Sequence, residues 1–136
     1  MNLIADHRED NPYRKPLVRE LVAYNHQHAP MPNWQYVGFY ALDEARQLAG
    51  GIQGNFEWDW LHITHLWVRN RGQGLGRRLV ETAEGYAKSQ GKQGLFLDTL
   101  DFQARPFYER LGFAVIGKIE NAAGASSRYF MSKRIS

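Results

Sequence analysis

A glycine-rich turn between an apolar stretch and a helix-like stretch most constrains the fold of this chain. Residues 61–80 read LHITHLWVRNRGQGLGRRLV, an apolar run that passes through two arginines into glycines at alternate positions. A helix amino terminus leaves its first N–H groups without partners and carries partial positive charge, so it attracts anions. Glycines there let the backbone approach a ligand closely. The stretch therefore predicts a strand, an anion-binding turn and a helix, in that order.

Two well-known kinds of phosphate-binding turn do not match this spacing. A nucleoside-triphosphate loop needs a lysine and a serine or threonine after its last glycine, whereas Arg77 and Arg78 follow here. The dinucleotide fingerprint needs G-x-G-x-x-G in an early βαβ unit, and this chain has G-x-G-x-G. An ordinary glycine-containing turn between a strand and a helix is the alternative at this point.

Apolar periodicity predicts further strands and helices on both sides of the turn. Their order is β-α-β-β-β-α-β-α-β-β, with strands at 2–5, 34–42, 48–56, 60–68, 93–100, 113–119 and 128–135, and helices at 12–28, from the turn to about 90, and at 102–112. The first helix carries Leu17, Leu21 and Tyr24 on one stripe. No linker or repeat divides the chain. The sequence thus predicts a single α/β domain over residues 1–136, with a mixed sheet flanked by helices.

The amino-acid composition narrows the chemistry that this chain can perform. It has no cysteine among its 136 residues, which excludes disulfides, a thiol nucleophile and thiolate metal ligands, and we expect no metal. The net charge is +3, from 17 basic and 14 acidic residues, and basic side chains cluster within 69–78. This local excess favours a phosphate-bearing small molecule over nucleic acid. No apolar run approaches the roughly 18 residues that cross a bilayer, so we expect no membrane partner and a cytoplasmic location.

Two motifs together resemble the GNAT superfamily of N-acetyltransferases. The stretch RGQGLG matches that family's pyrophosphate signature, Arg/Gln-x-x-Gly-x-Gly/Ala, through Arg71, Gly74 and Gly76. The family's second motif is matched further along the chain by Ala104, Tyr108, Glu109, Arg110, Leu111, Gly112 and Phe113. The resemblance implies a single-domain GNAT-like fold, a twisted mixed sheet that is splayed between its fourth and fifth strands, with acetyl-CoA in the opening.

Three departures from the family pattern concern a loop, a residue and the first helix. Only two residues separate Val68 from Arg71, where the family commonly has more, so the loop before the turn is short. Asp101 stands where an asparagine is common, and one helix stands where the family usually has two. In the family, that helical region generally shapes the acceptor pocket. Because the region differs here, the sequence leaves the identity of the acceptor open.

The resemblance also implies which residues bind acetyl-CoA. Main-chain groups of the strand before the glycines pair with the pantetheine arm and polarise the acetyl carbonyl, which places Leu66, Trp67 and Val68 at the cofactor. The pyrophosphate lies on the turn formed by Arg71, Gly72, Gln73, Gly74, Leu75, Gly76 and Arg77. The tyrosine of the second motif, Tyr108, protonates the departing thiolate as general acid. The alternative role for Tyr108 is that of a core tyrosine.

Acetyl transfer to an amine also needs a base, because an amine protonated at neutral pH must lose a proton before it attacks. Several family members carry a glutamate or histidine four residues before the position of Leu66, and that residue is His62 here. An imidazole suits the role because it titrates near neutral pH. His65, Glu57, Asp59 and a chain of water molecules are the alternatives.

The alternation of a strand assigns these residues to faces. A period of two places His62, Thr64 and Leu66 on one face, and it places Leu61, Ile63, His65 and Trp67 on the other. The acids and aromatic rings of NFEWDW, residues 55–60, offer a lining for a cationic acceptor. The alternative for this segment is an edge strand with buried tryptophans.

These residues predict an acetyl-CoA-dependent N-acetyltransferase. We expect the acetyl group to pass to a primary amine, foremost that of a small molecule, by direct attack within a ternary complex. The alternatives are an acyl-CoA-binding regulatory module without catalysis and an enzyme that acetylates a protein amino group. We expect no nucleic-acid partner, and the sequence leaves a homodimer open.

Overall fold

The computed structural model describes residues 1–30 and 34–136. Its backbone divides into two compact units, Met1–Pro32 and Asn33–Ser136. Helix α1, Arg14–His26, belongs to the first unit, and the β-sheet belongs to the second. The single domain expected over residues 1–136 therefore stays a prediction.

The first unit begins its helix at a local hydrogen-bonded turn. The side-chain oxygen of Asn11 accepts hydrogen bonds from the backbone N–H groups of Tyr13 at 2.9 Å and Arg14 at 3.1 Å. A side-chain acceptor of this kind satisfies N–H groups that a helix start leaves without partners. The predicted apolar stripe lies on α1, and its side chains Leu17 and Leu21 are exposed.

The strand expected at residues 2–5 does not form. These residues adopt no regular structure, and Leu3 and Ile4 are exposed. Directly after them, the Asp6 carboxylate accepts hydrogen bonds from the guanidinium of Arg8 at 2.6 Å and from its backbone N–H at 3.2 Å. These bonds form a local turn after the segment. A run of four residues, of which only Leu3, Ile4 and Ala5 are apolar, is a weak strand signal on its own.

The second unit is a six-stranded mixed sheet in the order β1-β2-β3-β4-β6-β5. The strands are β1 Gln35–Leu42, β2 Leu48–Glu57, β3 Trp60–Val68, β4 Gly94–Leu100, β5 Ala114–Ala123 and β6 Ser126–Arg134. Helix α2, Leu75–Ser89, connects β3 to β4, and helix α3, Arg105–Arg110, connects β4 to β5. β3 and β4 are parallel, and the other neighbours are antiparallel. The predicted mixed α/β sheet with its helices is confirmed.

The hydrophobic core lies between α2 and one face of the sheet. α2 buries Leu79, Val80 and Ala83 at helical spacing. Phe56 of β2 is fully buried and stacks on Tyr86 of α2, with 5.7 Å between the ring centroids. This packing covers one face of β1, β2 and β3 and leaves their opposite face for the side chains described below.

None of the helices in the described part of the chain has both the length and the apolar character needed to cross a lipid bilayer.

Candidate active site

Strands β3 and β4 separate partway along their length. They are paired through a short seam, in which Trp60 lies beside Gly94, Leu61 beside Leu95 and His62 beside Phe96. Beyond this seam, β3 continues to Val68 against β2, whereas β4 continues to Leu100 against β6. Two neighbouring strands that part in this way expose backbone donors and acceptors on both sides of an opening. The splayed sheet implied by the sequence resemblance is therefore present.

The glycine turn lies at the open end of β3. Gly72 and Gly74 have φ angles of +81° and +79°, which residues with a side chain rarely adopt. A Cβ at either position would meet no atom within 4 Å. Helix α2 begins directly afterwards at Leu75. The Arg78 N–H donates a hydrogen bond to the carbonyl of Gly74, the residue before the helix, at 3.1 Å. The turn thus presents free N–H groups of a fifteen-residue helix beside the opening.

Gly76 serves a different purpose from the two glycines before it. Its φ angle is not in the left-handed region, and a Cβ there would lie 3.3 Å from the ring of Phe107 in α3. The missing side chain lets this ring pack against α2. Phe107 in turn contacts Tyr108 edge to face, with 5.2 Å between ring centroids. The two motifs of the resemblance are therefore in direct contact, and Phe107 was not identified from the sequence.

The arginines around the turn differ in their partners. Arg69 donates a hydrogen bond to the Asp43 carboxylate at 3.0 Å, which ties the end of β3 to the β1–β2 turn. Arg77 donates to Glu81 at 2.8 Å, one helical turn along α2. This second pair is well exposed, and such pairs contribute about 0.3–0.5 kcal/mol, so Arg77 can exchange Glu81 for a bound anion. Arg71 is exposed on the turn itself.

A β-bulge at Thr64 changes the side-chain faces of β3. Gln53 of β2 lies opposite His65, but the next residue, Gly54, lies opposite Ile63, so Thr64 is an extra residue on β3. The Thr64 hydroxyl donates to the Gln53 carbonyl at 3.0 Å and holds this geometry. An extra residue reverses the alternation beyond it.

The predicted faces of β3 are therefore wrong beyond Thr64. Leu61 and Ile63 face the core, and Leu66 and Val68, which the alternation does not place on their face, also pack against it. His65 and Trp67 are exposed instead and share the open face with His62. The two histidines, which the alternation places on opposite faces, lie on the same one.

His62 forms a close pair with Glu57. Its Nδ1 atom lies 2.7 Å from Oε2 of Glu57, and the same oxygen accepts a hydrogen bond from the side-chain amide of Asn55 at 3.2 Å. The imidazole stacks on Phe96 of β4, with 4.5 Å between ring centroids and 10° between planes. A carboxylate on Nδ1 fixes the imidazole orientation and leaves Nε2 for a proton acceptor's role. Asn55 and Phe96 were not identified from the sequence.

His65 has neutral partners instead. Its Nδ1 atom lies 3.3 Å from the amide nitrogen of Gln53 and 3.1 Å from the Thr64 hydroxyl. The Tyr40 hydroxyl donates to the Gln53 amide oxygen at 2.9 Å, so these four side chains form one network. No carboxylate is among these partners of His65, whereas Glu57 holds the ring of His62. The geometry favours His62 over His65 as a base.

The segment 55–60 forms a tight hairpin and not an edge strand. Trp58, with a φ angle of +53°, and Asp59 make the turn between β2 and β3, which are both interior strands. The Asp59 carboxylate accepts a hydrogen bond from Gln93 at 3.3 Å, beside the start of β4. Asp59 therefore lies at the end of the seam that is far from the opening, whereas Glu57 lies beside His62.

Tyr108 is part of the hydrophobic core. Its side chain is 7% exposed, and its ring packs edge to face against Phe107 and Phe113. Burial raises the pKa of Tyr108 to about 12, because the ionised phenolate is disfavoured away from water. The hydroxyl therefore keeps its proton throughout the neutral range. The ring of Tyr108 is thus a core side chain, the alternative role that the sequence left open. That its hydroxyl donates a proton to the leaving thiolate stays a prediction.

Asp101 has a local structural function. Both of its carboxylate oxygens accept hydrogen bonds from the backbone N–H of Ser127, at 3.1 and 3.0 Å, and the Asp101 N–H donates to the Ser127 carbonyl at 3.1 Å. These bonds attach the loop before α3 to the start of β6. The substitution of the family's usual asparagine leaves this loop well anchored.

A groove of about 500 Å³ crosses the open face of β1, β2 and β3. We call it the tyrosine groove, and its lining comprises Tyr36, Val37, Gly38, Tyr40, Gln53, Gly54, Asn55, Thr64 and His65. Tyr36 lies opposite Asn55, which in turn lies opposite His62. The groove thus borders the His62–Glu57 pair. Its tyrosines and Gln53 were not identified from the sequence, because nothing in the local pattern separates them from ordinary exposed strand residues.

Within residues 1–30 and 34–136, the structure brings no three histidine, aspartate or glutamate side chains together as a metal site. The absence of a metal from the reaction stays an expectation.

Comparisons with known proteins agree with this geometry. The acetyltransferase (GNAT) family model matches residues 3–113. A blasticidin-S acetyltransferase from Streptomyces morookaense is 38% identical over 99 residues, which cover 71% of this chain and 73% of the relative. The crystal structure of an acetyltransferase from Bacillus cereus superposes with a TM-score of 0.91 at 27% identity, covering 98% of each chain. An aminoglycoside 6′-N-acetyltransferase solved with coenzyme A shares the fold, with a TM-score of 0.65 at 21% identity over 99% of this chain and 98% of the other.

The family model spans most of the chain, and the splayed sheet, the glycine turn and the second motif all lie in one unit. The chain therefore belongs to the acetyltransferase (GNAT) family.

Proposed function

We propose that this enzyme transfers the acetyl group of acetyl-CoA to a primary amine of a small molecule, by direct attack within a ternary complex. One observation carries the proposal. The His62–Glu57 pair lies at the last residue pair of the seam, where the opening between β3 and β4 begins. An amine beside Nε2 of His62 would reach a thioester held in this opening without a covalent enzyme intermediate.

The proposed site for acetyl-CoA rests on the glycine turn and the free edge of β3. The backbone N–H groups at the start of α2 would hold the pyrophosphate, with Arg71 and Arg77 as side-chain contacts. The main chain of Leu66, Trp67 and Val68 would pair with the pantetheine arm, because that stretch of β3 lies beyond its seam with β4. Bound there, acetyl-CoA supplies the activated acetyl group.

The proposed proton transfers use His62 and Tyr108. Nε2 of His62 accepts one proton from the acceptor ammonium, Glu57 holds the ring through Nδ1, and the free amine then attacks the thioester carbonyl. As the C–S bond breaks, the Tyr108 hydroxyl, which burial keeps protonated, donates its proton to the sulfur, and the second proton lost by the nitrogen restores the hydroxyl. His65 is the alternative base, and a water molecule bound to either histidine is a third arrangement.

A broad acceptor screen tests this function. Thiol release from acetyl-CoA would be measured with blasticidin-S, an aminoglycoside, spermidine, free amino acids, a lysine peptide and a peptide with a free amino terminus. Blasticidin-S is included because the 38% identical relative is named for it. We expect transfer to a small molecule, confirmed by the mass of the acetylated product, and intersecting initial-velocity lines. Parallel lines would contradict a ternary complex.

Two outcomes of the same screen would replace the proposal. Preference for a peptide amine would identify a protein acetyltransferase. Tight acetyl-CoA binding in calorimetry, with no transfer to any amine, would identify a regulatory module without catalysis.

A further inference from the structure

We propose that the tyrosine groove selects acceptors in which a short linking group joins the primary amine to a planar, uncharged heterocycle. This inference rests on the proposed function, because it names the class of molecule that would present its amine to His62.

The first argument is the shape of the groove. Tyr36 and Tyr40 project from the same face of β1, with Gly38 between them. A Cβ at Gly38 would lie 2.6–2.9 Å from three atoms of the Tyr40 phenol, so even an alanine would press into that ring. The space above Gly38 is therefore taken by the Tyr40 phenol, which also lies over Gly51, so the two glycines let this ring lie along the sheet as part of the groove surface. A volume of about 500 Å³ lies within the range of about 300–1,000 Å³ that is usual for small-molecule sites.

The second argument is the chemistry of the lining. No residue that lines the groove carries a carboxylate, an ammonium or a guanidinium group. The Glu57 carboxylate at the border of the groove is paired with His62, so a ligand with several positive charges, such as a polyamine, would find no counter-charge in the lining itself and would lose hydration. Phenol rings and side-chain amides instead suit an uncharged ring, which stacks on the phenols and pairs its edge with Gln53 or Asn55.

The third argument is that part of the lining is already held in place. The Gln53 amide is fixed between Tyr40 and His65 by contacts of 2.9 and 3.3 Å. The Thr64 hydroxyl holds the main chain beside it at 3.0 Å. Side chains that are fixed before binding lose less conformational freedom when a ligand arrives. A groove built this way recognises a defined ring better than a flexible chain.

The fourth argument is the position of the amine. Asn55 lines the groove and also donates to Glu57, which binds His62. A ring seated between Tyr36 and Asn55 would therefore lie beside the base, and an amine on a short substituent would reach Nε2 of His62.

The test compares amines with and without a heterocycle. The probes are 5′-amino-5′-deoxyuridine and 5′-amino-5′-deoxyadenosine, with cadaverine and kanamycin as amines that have no planar ring. We expect kcat/KM for the better nucleoside amine to exceed that of cadaverine and kanamycin at least tenfold, in line with the usual contribution of base stacking on aromatic side chains. Equal or higher values for cadaverine or kanamycin would overturn the inference and leave the proposed function intact.

Two variants locate the effect in the groove. Tyr36→Ala removes a side chain that is 92% exposed, so the fold should persist, and KM for the nucleoside amine should rise about tenfold with little change in kcat. The affinity for acetyl-CoA, measured by calorimetry, should not change. Ile116→Ala, an exposed residue on β5, is the matched control and should alter neither quantity.

Other outcomes separate the competing explanations. An unchanged KM in Tyr36→Ala would overturn the inference. So would a change in sedimentation behaviour in Tyr36→Ala, which would identify the groove as a contact between two copies of the chain. A wild-type enzyme that binds acetyl-CoA but acetylates none of the four amines, nor any acceptor in the broad screen, would refute the proposed function itself.

Discussion

The Nδ1 atom of His62 lies 2.7 Å from the Oε2 atom of Glu57, across the two-residue turn that joins β2 to β3. Both side chains are partly buried, and the ring of Phe96 supports the imidazole from the neighbouring strand. The carboxylate and the Phe96 ring therefore fix the orientation of the His62 imidazole. Glu57 is a positioning residue in the proposed reaction.

Replacing Glu57 by glutamine tests this relationship. Glu57→Gln keeps the shape of the side chain but removes the negative charge that stabilises the imidazolium, so kcat should fall about tenfold. KM for the acetyl donor should stay the same, because Glu57 does not lie on the glycine turn. The matched control is Glu120→Gln, on the exposed β5, which should keep full kcat. A rise in the donor KM without a fall in kcat would assign Glu57 to binding.

His62→Ala should lower turnover most at neutral pH. An aliphatic amine has an ordinary pKa of about 10.4, so little of it is deprotonated at pH 7 and much more is at pH 10. The loss should be about 100-fold near pH 7 and should shrink as the pH rises. The measurement is a pH–rate profile of both proteins with one acceptor. A profile parallel to that of the wild type would transfer the base to His65 or water.

Gly74→Val should weaken coenzyme A binding at least tenfold. A β-branched residue is strained at a φ angle of +79°, and the distorted turn would misplace the N–H groups at the start of α2. Isothermal titration calorimetry with coenzyme A measures the effect. Gly85→Ala is the control within the same helix, because a Cβ there meets nothing within 4 Å. It should bind normally and gain about 0.5–1 kcal/mol of stability.

Tyr108→Phe should reduce turnover about 10- to 100-fold, the low end of general acid catalysis, because a thiolate is already a tolerable leaving group. The phenylalanine keeps the ring contacts with Phe107 and Phe113. Coenzyme A affinity and the melting temperature at pH 7 should therefore change little. Full activity in the folded variant would remove Tyr108 from the mechanism, and a large loss of stability would mean that its hydroxyl supports the fold.

The same tyrosine should make stability depend on alkaline pH. Its pKa rises from 10 to about 12 on folding, so the folded protein holds a proton that the unfolded chain loses above about pH 10. The corresponding stability is complete below pH 10 and disappears as the pH rises through 12, up to about 3 kcal/mol. Denaturant unfolding from pH 9 to 12 should show a shallower decline in Tyr108→Phe than in wild type. Tyr36→Phe, at an exposed position, should follow the wild type.

Much of the fold could be predicted from the sequence because its elements have strong periodic patterns. The bounds of β3 and the start of α2 agree with the apolar run and the glycines that follow it. The failure at residues 2–5 has a different cause, since a run of four residues is too short to show a strand periodicity.

The candidate site was harder to predict from the sequence than the fold, because a single inserted residue reverses which face of a strand each later side chain occupies. The bulge at Thr64 depends on the pairing with Gln53, and no local pattern marks it. The His62–Glu57 pair was easier to find in principle. A two-residue turn between two strands places residue 55 opposite residue 62, which brings Glu57 close to His62. Glu57 was considered only as a base in its own right.

The short seam between β3 and β4 has a consequence for how such an enzyme diversifies. The tyrosine groove and the histidines belong to β1–β3, whereas Tyr108 lies on α3 after β4, so the proposed acceptor selection and the proposed leaving-group protonation lie on opposite sides of the seam. The two sides of the seam meet closely where the Trp60 ring lies against Gly94. The groove residues Tyr36, Tyr40 and Gln53 lie outside this seam, so substitutions there would leave the seam intact. New acceptor preferences are thus open to this scaffold through changes confined to three adjacent strands.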